Sequence, residues 1–398
     1  MTDAELYFGR EQTKAKHFIL RRYLQALAFK VLHFSDLTYV DGFSGPWETR
    51  QDDFADSSFM IAIDVLKDAQ RRLTAMGKRR RIKCFLCERD PEAYEKLVTA
   101  AASHHQPEQN FEIQTHGGAF TDAIPRISSF IGNSFALIFI DPTGWTGYNF
   151  DLIQPILTPR KTEVLINYMY DFINRAVSMP DAATVRSFNG ILGGPGWEDR
   201  LDPDLVAIDR GMAVEKLFRQ TLANIGQFKF VVSTKIYRPT IDRPHFFLTY
   251  GTKYEAGLET FRETEYKALQ QQAVDRSAAK VRKRETESGS VDMFGGLDSA
   301  VDGERIDEFV SAQMASARNL ILTMLVDRPR KFADVWVSVL AQFVLRITNV
   351  KDICVALAKE KAIENTWGGG KRKPRDEDFI ALCSPEKGLN RPAIEDLP

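Results

Sequence analysis

The chain is poor in cysteine. Its four, Cys84, Cys87, Cys354 and Cys383, are too few and too scattered over 398 residues to lay out a disulfide framework. No uninterrupted apolar run is long enough to span a bilayer. The N-terminal stretch carries acids and lacks the apolar core of a secretory signal. A surplus of one charge is missing too. Lys and Arg number 53 against 54 Asp and Glu, so no chain-wide field attracts nucleic acid, and any such attraction has to come from local patches. His104, His105 and His116 show no ligand spacing. Cys84 and Cys87 are three apart in a strand pattern, where they face opposite sides and cannot share one ion. No metal site is predicted, and no Ser/His/Asp or Cys/His set assembles. The expectation is a cytoplasmic protein with no membrane segment.

What is present is alternation. EQTKAKHFILRRYLQALAFKVLH spaces Phe18, Ile19, Tyr23, Leu24, Leu27 and Val31 as an amphipathic helix. TYVDGF, a strand ending at Glu88, FEIQTH, ALIFI and EVLINYMY then alternate with helical patterns, one of them capped by Asp56 or Ser57. This spacing predicts an α/β doubly wound sheet, largely parallel. Residues 176–226 read as a helical insertion. FKFVVSTKIYRP and HFFLTYGT read as a hairpin giving the sheet an antiparallel edge. The first domain is expected over 1–277. A linker follows over 278–304, where charge, Gly and Ser replace periodicity. Residues 305–398 are expected as a small C-terminal winged-helix domain with a tail: three helices, then a hairpin around GGGKRKPRDED.

Three strand ends carry candidate chemistry. In doubly wound folds, ligands sit at the carboxyl ends of the strands where the strand order reverses. YVDGFSGPW ends a strand in Asp41, Gly42, Phe43, Ser44 and Gly45. Glycines there let backbone approach a ligand. The pattern is not the dinucleotide fingerprint; it is closer to the D-x-F-x-G-x-G loop that cups S-adenosylmethionine, although a tight turn out of a buried strand reads the same way. Glu88, in FLCERD, stands where an acid can accept both ribose hydroxyls of a nucleoside. It follows Asp41 by 47 residues, so the crossover between them is expanded. DPTGW places Asp141, Pro142 and Trp145 after a buried run. It resembles the D/N-P-P-Y/F/W loop of amino-group methyltransferases. A planar exocyclic amine needs fixed acceptors for its hydrogens before it can attack. The Asp141 side chain and the Pro142 carbonyl can supply them, with Trp145 stacking on the base or simply packing. Lys371, Arg372, Lys373 and Arg375 in the C-terminal loop suit a phosphate backbone, diluted by Asp376, Glu377 and Asp378.

With DGFSGP, FLCERD, FIDPTGW and LINYMYDFINR in this order, the chain resembles the three-Cys-motif partner family (TcmP) over most of 10–270. The resemblance implies a Rossmann-like methyltransferase fold with S-adenosylmethionine as cofactor. It implies an amino group of RNA or DNA as target, adenine N6 being favoured. It also implies a partner encoded nearby, the three-Cys-motif protein, which resembles a radical S-adenosylmethionine enzyme. Asn167 and Arg175 match polar positions after the fifth strand. Trp47 replaces a family glycine, and Gly118-Ala119 replaces a Gly-Asp pair that commonly holds the adenine, for which Asp122 is a substitute. These departures motivate a second reading: a non-catalytic partner or adaptor that binds nucleic acid.

Overall fold

The structure, a computed structural model, describes residues 6–45, 54–177, 181–202, 204–290, 295–368 and 372–383. Helix α1 (Glu11–Val31) leads into β1 (Leu37–Asp41), and α2 (Ser58–Ala75) follows with Ser57 as its N-cap. Next come β2 (Ile82–Glu88), α3 (Pro91–Ala102), β3 (Phe111–Gly117), α4 (Ile124–Ile131) and β4 (Phe135–Ile140). Then come α5 (Phe150–Leu157), β5 (Thr162–Tyr168), and the helices α6 (Tyr170–Val177), α7 (Ala182–Ser187), α8 (Asn189–Leu192) and α9 (Ala207–Gly226). The hairpin β6 (Phe230–Tyr237) and β7 (Pro244–Thr252) completes one sheet of seven strands, ordered β3-β2-β1-β4-β5-β7-β6.

The first five strands are parallel, as their helical crossovers require, and β7 runs antiparallel to both neighbours. From sequence, an antiparallel edge is expected. The hairpin forms that edge, with the antiparallel strand β7 one place in and β6 outside it. Burial explains the order. In β7 the seven residues from Phe246 to Thr252 are buried, which suits an interior strand. In β6 buried residues alternate with Val231, Ser233, Lys235 and Tyr237, which suits an edge.

The sheet divides the core into two layers. Leu20, Leu24, Leu66, Leu97 and Phe261 cover one face from α1, α2, α3 and the long helix α10 (Glu255–Ser288). Ile127, Ile153, Ile173 and Phe218 cover the other from α4, α5, α6 and α9. Cys84 belongs to the first layer and Cys87 to the second, so their opposed facing holds, and burial pushes both thiols well up.

Among its described residues the expected linker over 278–304 is helical except at Gly289 and Ser290. Helix α10 runs to Ser288, and α11 (Gly295–Leu325) takes up the chain from Gly295. The periodicity there hides in polar residues. Ser277 and Ala279 are buried on α10, and its contacts with α1 include the ion pairs Lys14–Asp275 and Arg282–Glu11. Beyond α11 come β8 (Arg330–Lys331), α12 (Phe332–Gln342), α13 (Ile347–Lys359) and β9 (Phe379–Ile380). β8 pairs with β9, while Ile363 only bridges to Leu382. Arg262 ties these helices to the sheet: it is buried, its Nε donates to the Leu340 carbonyl at 2.7 Å, and its Nη1 meets Glu265 Oε2 at 2.5 Å. Glu265 Oε1 in turn accepts from Thr234 of β6 at 2.7 Å.

Candidate active site

The strand order reverses between β1 and β4, and the loops after these strands hold the predicted residues. The turn after β1 is stitched to both neighbours. Gly42 N–H donates to the Phe139 carbonyl at 3.0 Å and Ser44 N–H to the Cys87 carbonyl at 2.7 Å. A Cβ on Gly42 would stand 3.0 Å from the Phe120 ring, which would have to shift by a few tenths of an ångström to admit it. Phe43 lies against Phe120, and Ser44 is buried with its Oγ donating to the Asp41 carbonyl at 3.0 Å. Gly45 is half-buried, while Pro46 and Trp47 lie outside the described residues.

Asp41 is turned into the protein. It is fully buried, and its carboxylate accepts from the Phe43 N–H at 3.0 Å, from Ser58 Oγ at 2.8 Å and from the Tyr39 hydroxyl at 3.1 Å. It shapes the turn. Burial pushes its carboxyl up to about 6, with the nearby Asp141 charge adding, against these hydrogen bonds. The folded-state value therefore lies above the unfolded one, near 3.9. Protonated Asp41 contributes stability in full below about pH 4, and this is lost as the pH rises to about 6, at most ~3 kcal/mol. Urea unfolding from pH 4 to 7 should show that fall, and Asp41→Asn should flatten it. An unchanged pH slope in the variant would refute this account.

Glu88 is buried at the end of β2, and its Oε1 accepts from the Asp90 N–H at 2.7 Å. Gly118, at φ +150°, donates its N–H to the Glu88 carbonyl at 2.9 Å. Ala119 caps the short 3₁₀ turn Phe120–Ala123, on which Asp122 is exposed.

Asp141 follows β4 and is engaged on both oxygens. Oδ1 accepts from Asn167 Nδ2 at 2.7 Å, and Oδ2 pairs with Lys16 Nζ from α1. Asn167 is buried on β5, and its own Oδ1 has no hydrogen-bond partner among the described residues. Such an orphaned acceptor beside a carboxylate is costly unless something else completes it. Pro142 is buried. Trp145 stacks on Phe188 at 5.2 Å between centroids, and its Nε1 donates to Ser187 Oγ at 2.8 Å, so one face of the indole packs against the helical insertion.

The predicted residues of the first four strand ends thus converge, and the C-terminal basic set lies elsewhere, in the loop before β9. There, the Arg372 carbonyl accepts from Trp367 Nε1 at 2.9 Å, Lys373 pairs with Asp352 of α13, and Arg375 N–H donates to Asp378 at 2.7 Å. Lys371 lies outside the described residues. Arg175 lies on α6 with its guanidinium over Phe172. Lys16 escaped sequence reasoning because a lysine on an amphipathic helix reads as solvated. Among the described residues, no group of three or more His, Cys, Asp and Glu could hold a metal ion, and no helix is long and apolar enough to cross a membrane.

Seven strands in this order, with an antiparallel β7, define a Rossmann-like sheet of the methyltransferase type. No protein-family model matches the chain, and no curated protein matches it in sequence, so the likeness to TcmP rests on its motifs. Solved structures align weakly. A Legionella pneumophila protein of the family-model DUF519 has 13% identity and a TM-score of 0.33, covering 62% of this chain and 86% of its own. The O-methyltransferase from Bacillus cereus, in complex with SAH, has 13% identity and a TM-score of 0.31, covering 58% and 80%. Loganic acid methyltransferase with SAH has 8% identity and a TM-score of 0.27, covering 77% and 92%. At such scores nothing about cofactor or substrate transfers to this chain.

Proposed function

We propose that the chain is an S-adenosylmethionine-dependent methyltransferase of the TcmP type, acting on an amino group of nucleic acid, adenine N6 being favoured. The observation that carries this reading is Asp141 with the orphaned Asn167 Oδ1 beside it, next to a glycine turn at the point where strand order reverses.

The residues present fit the cofactor: the glycine-bearing turn after β1 and the buried carboxylate of Glu88 at the end of β2 stand on neighbouring strand ends. When bound, S-adenosylmethionine supplies an electrophilic methyl group. The backbone of residues 42–45 and the Glu88 carboxylate would hold it, Glu88 accepting from its ribose hydroxyls. A carboxylate has about four acceptor positions, so Asp141 can hold Lys16, Asn167 and one amine hydrogen together. Asn167 Oδ1 accepts the second hydrogen, a role given from sequence to the Pro142 carbonyl. The helices α11 to α13 with β8 and β9 act as a winged helix that carries the substrate.

Titration calorimetry of the purified chain tests the cofactor. Micromolar to submillimolar binding of S-adenosylmethionine is expected, and no heat at millimolar concentration would overturn the reading. One observation favours the alternative of a non-catalytic adaptor for a three-Cys-motif protein: Lys16 already neutralises Asp141. Cofactor binding without methyl transfer to RNA or DNA, alongside copurification with that partner, would favour it.

A further inference from the structure

We infer that the arginines around Asp171 form an anion site for a backbone phosphate of the substrate strand. The inference rests on the nucleic-acid reading above and extends it to the hairpin arginines Arg238 and Arg243, which no sequence motif marks. Asp171 opens α6 and is buried. Its Oδ2 meets Arg238 Nε at 2.8 Å and Nη2 at 2.5 Å, with His245 Nδ1 at 3.2 Å, and its Oδ1 meets Arg243 Nε at 3.0 Å.

One arginine would neutralise one carboxylate; two are supplied. Burial pushes the Asp171 carboxyl up, but hydrogen bonds from Arg238 and His245 and the charges of Arg238 and Arg243 outweigh it and hold it low. The side chains of Arg238 and Arg243 remain 39% and 51% exposed, so the surplus charge faces solvent. Arg243 meets Asp171 as an ion pair through Nε without a hydrogen bond, since Asp171 Oδ1 has no hydrogen-bond partner among the described residues. Asp242, the other acid of the hairpin, is matched by Arg276. Arg175 adds a further cation on α6, lying over the exposed ring of Phe172.

The cluster is continuous with the acceptor site. His245 precedes Phe246, whose ring lies under Lys16 Nζ at 5.9 Å, and Lys16 pairs with Asp141. A guanidinium fork positioned from below by a carboxylate suits a phosphate oxygen pair, and an exposed aromatic beside it suits a base. A chain with a net charge of −1 needs such a local patch to hold a polyanion.

The test is fluorescence anisotropy of a labelled single-stranded oligonucleotide, titrated over a range of salt, with the full chain, Arg243→Gln and Lys373→Gln. Arg243→Gln keeps Arg238 on Asp171, so the fold survives. It should weaken binding roughly five- to tenfold and lower the salt slope by about one phosphate contact, with S-adenosylmethionine binding unchanged. Equal affinity and slope for Arg243→Gln would overturn the inference and leave the function standing, above all if Lys373→Gln carried the loss. No oligonucleotide binding by the unaltered chain, with cofactor binding intact, would overturn both.

Discussion

Asp141→Asn is expected to reduce methyl transfer by on the order of 10²-fold or more while leaving the affinity for S-adenosylmethionine within about twofold. The substitution keeps the shape, and an amide oxygen can still accept from Asn167 Nδ2. It removes the charge that holds Lys16 and that fixes the amine hydrogens, so the nucleophile is no longer oriented for in-line attack. The cofactor contacts proposed for residues 42–45 and Glu88 belong to other strand ends and are untouched. A second readout separates this from a general loss of fold. The Asp141 charge helps push the Asp41 carboxyl up, so without it the pH-dependent fall in stability should move to lower pH. Single-turnover transfer and urea unfolding measure the two effects. Unchanged transfer would remove Asp141 from the chemistry and leave the loop a turn.

Much of this site is legible in the sequence, because each part sits beside a strong local signal. The strands ending at Asp41, Glu88 and Asp141 are apolar runs broken by Gly or Pro, and parallel pairing brings their ends to one edge. What escapes is what tertiary packing alone decides. Asp41 looks like a ligand residue, yet Tyr39, Phe43 and Ser58 consume it. Trp145 looks like a stacking platform, yet Phe188 from the distant helical insertion covers one face. Lys16, Arg238 and Arg243 reach the edge from the lead-in helix and the hairpin, and nothing local marks them. GLETFRETEYKALQQQAV reads as a polar-faced helix, but the continuation of α10 from Ala278 to Ser288 is hidden by its composition. The buried positions of α10 include Gln272, Ser277 and Arg262, so an apolar period of 3.6 is absent although the helix is continuous.

Arg262→Met is expected to be among the most destabilising single changes away from the site, at about 3–5 kcal/mol. Arg262 and Glu265 are both buried, and together they join three elements: β6 through Thr234, α10 through their own backbone, and α12 through the Leu340 carbonyl. A buried pair of this kind costs much of its attraction in desolvation, so its presence is weak evidence of net stabilisation. Breaking it is a different matter. Without the guanidinium, Glu265 keeps only the Thr234 hydroxyl, and the Leu340 carbonyl loses a charge-assisted donor. The double variant Arg262→Met/Glu265→Met removes both charges and should recover most of the loss, a coupling that a purely steric effect would not show. Urea unfolding of the two variants measures it. Limited proteolysis should find the helices from α11 onward released first in the single variant, because Arg262 reaches them directly through Leu340. A single variant within about 0.5 kcal/mol of the parent would mean that apolar packing around Val339 and Leu340 holds the C-terminal unit in place, with the pair adding nothing.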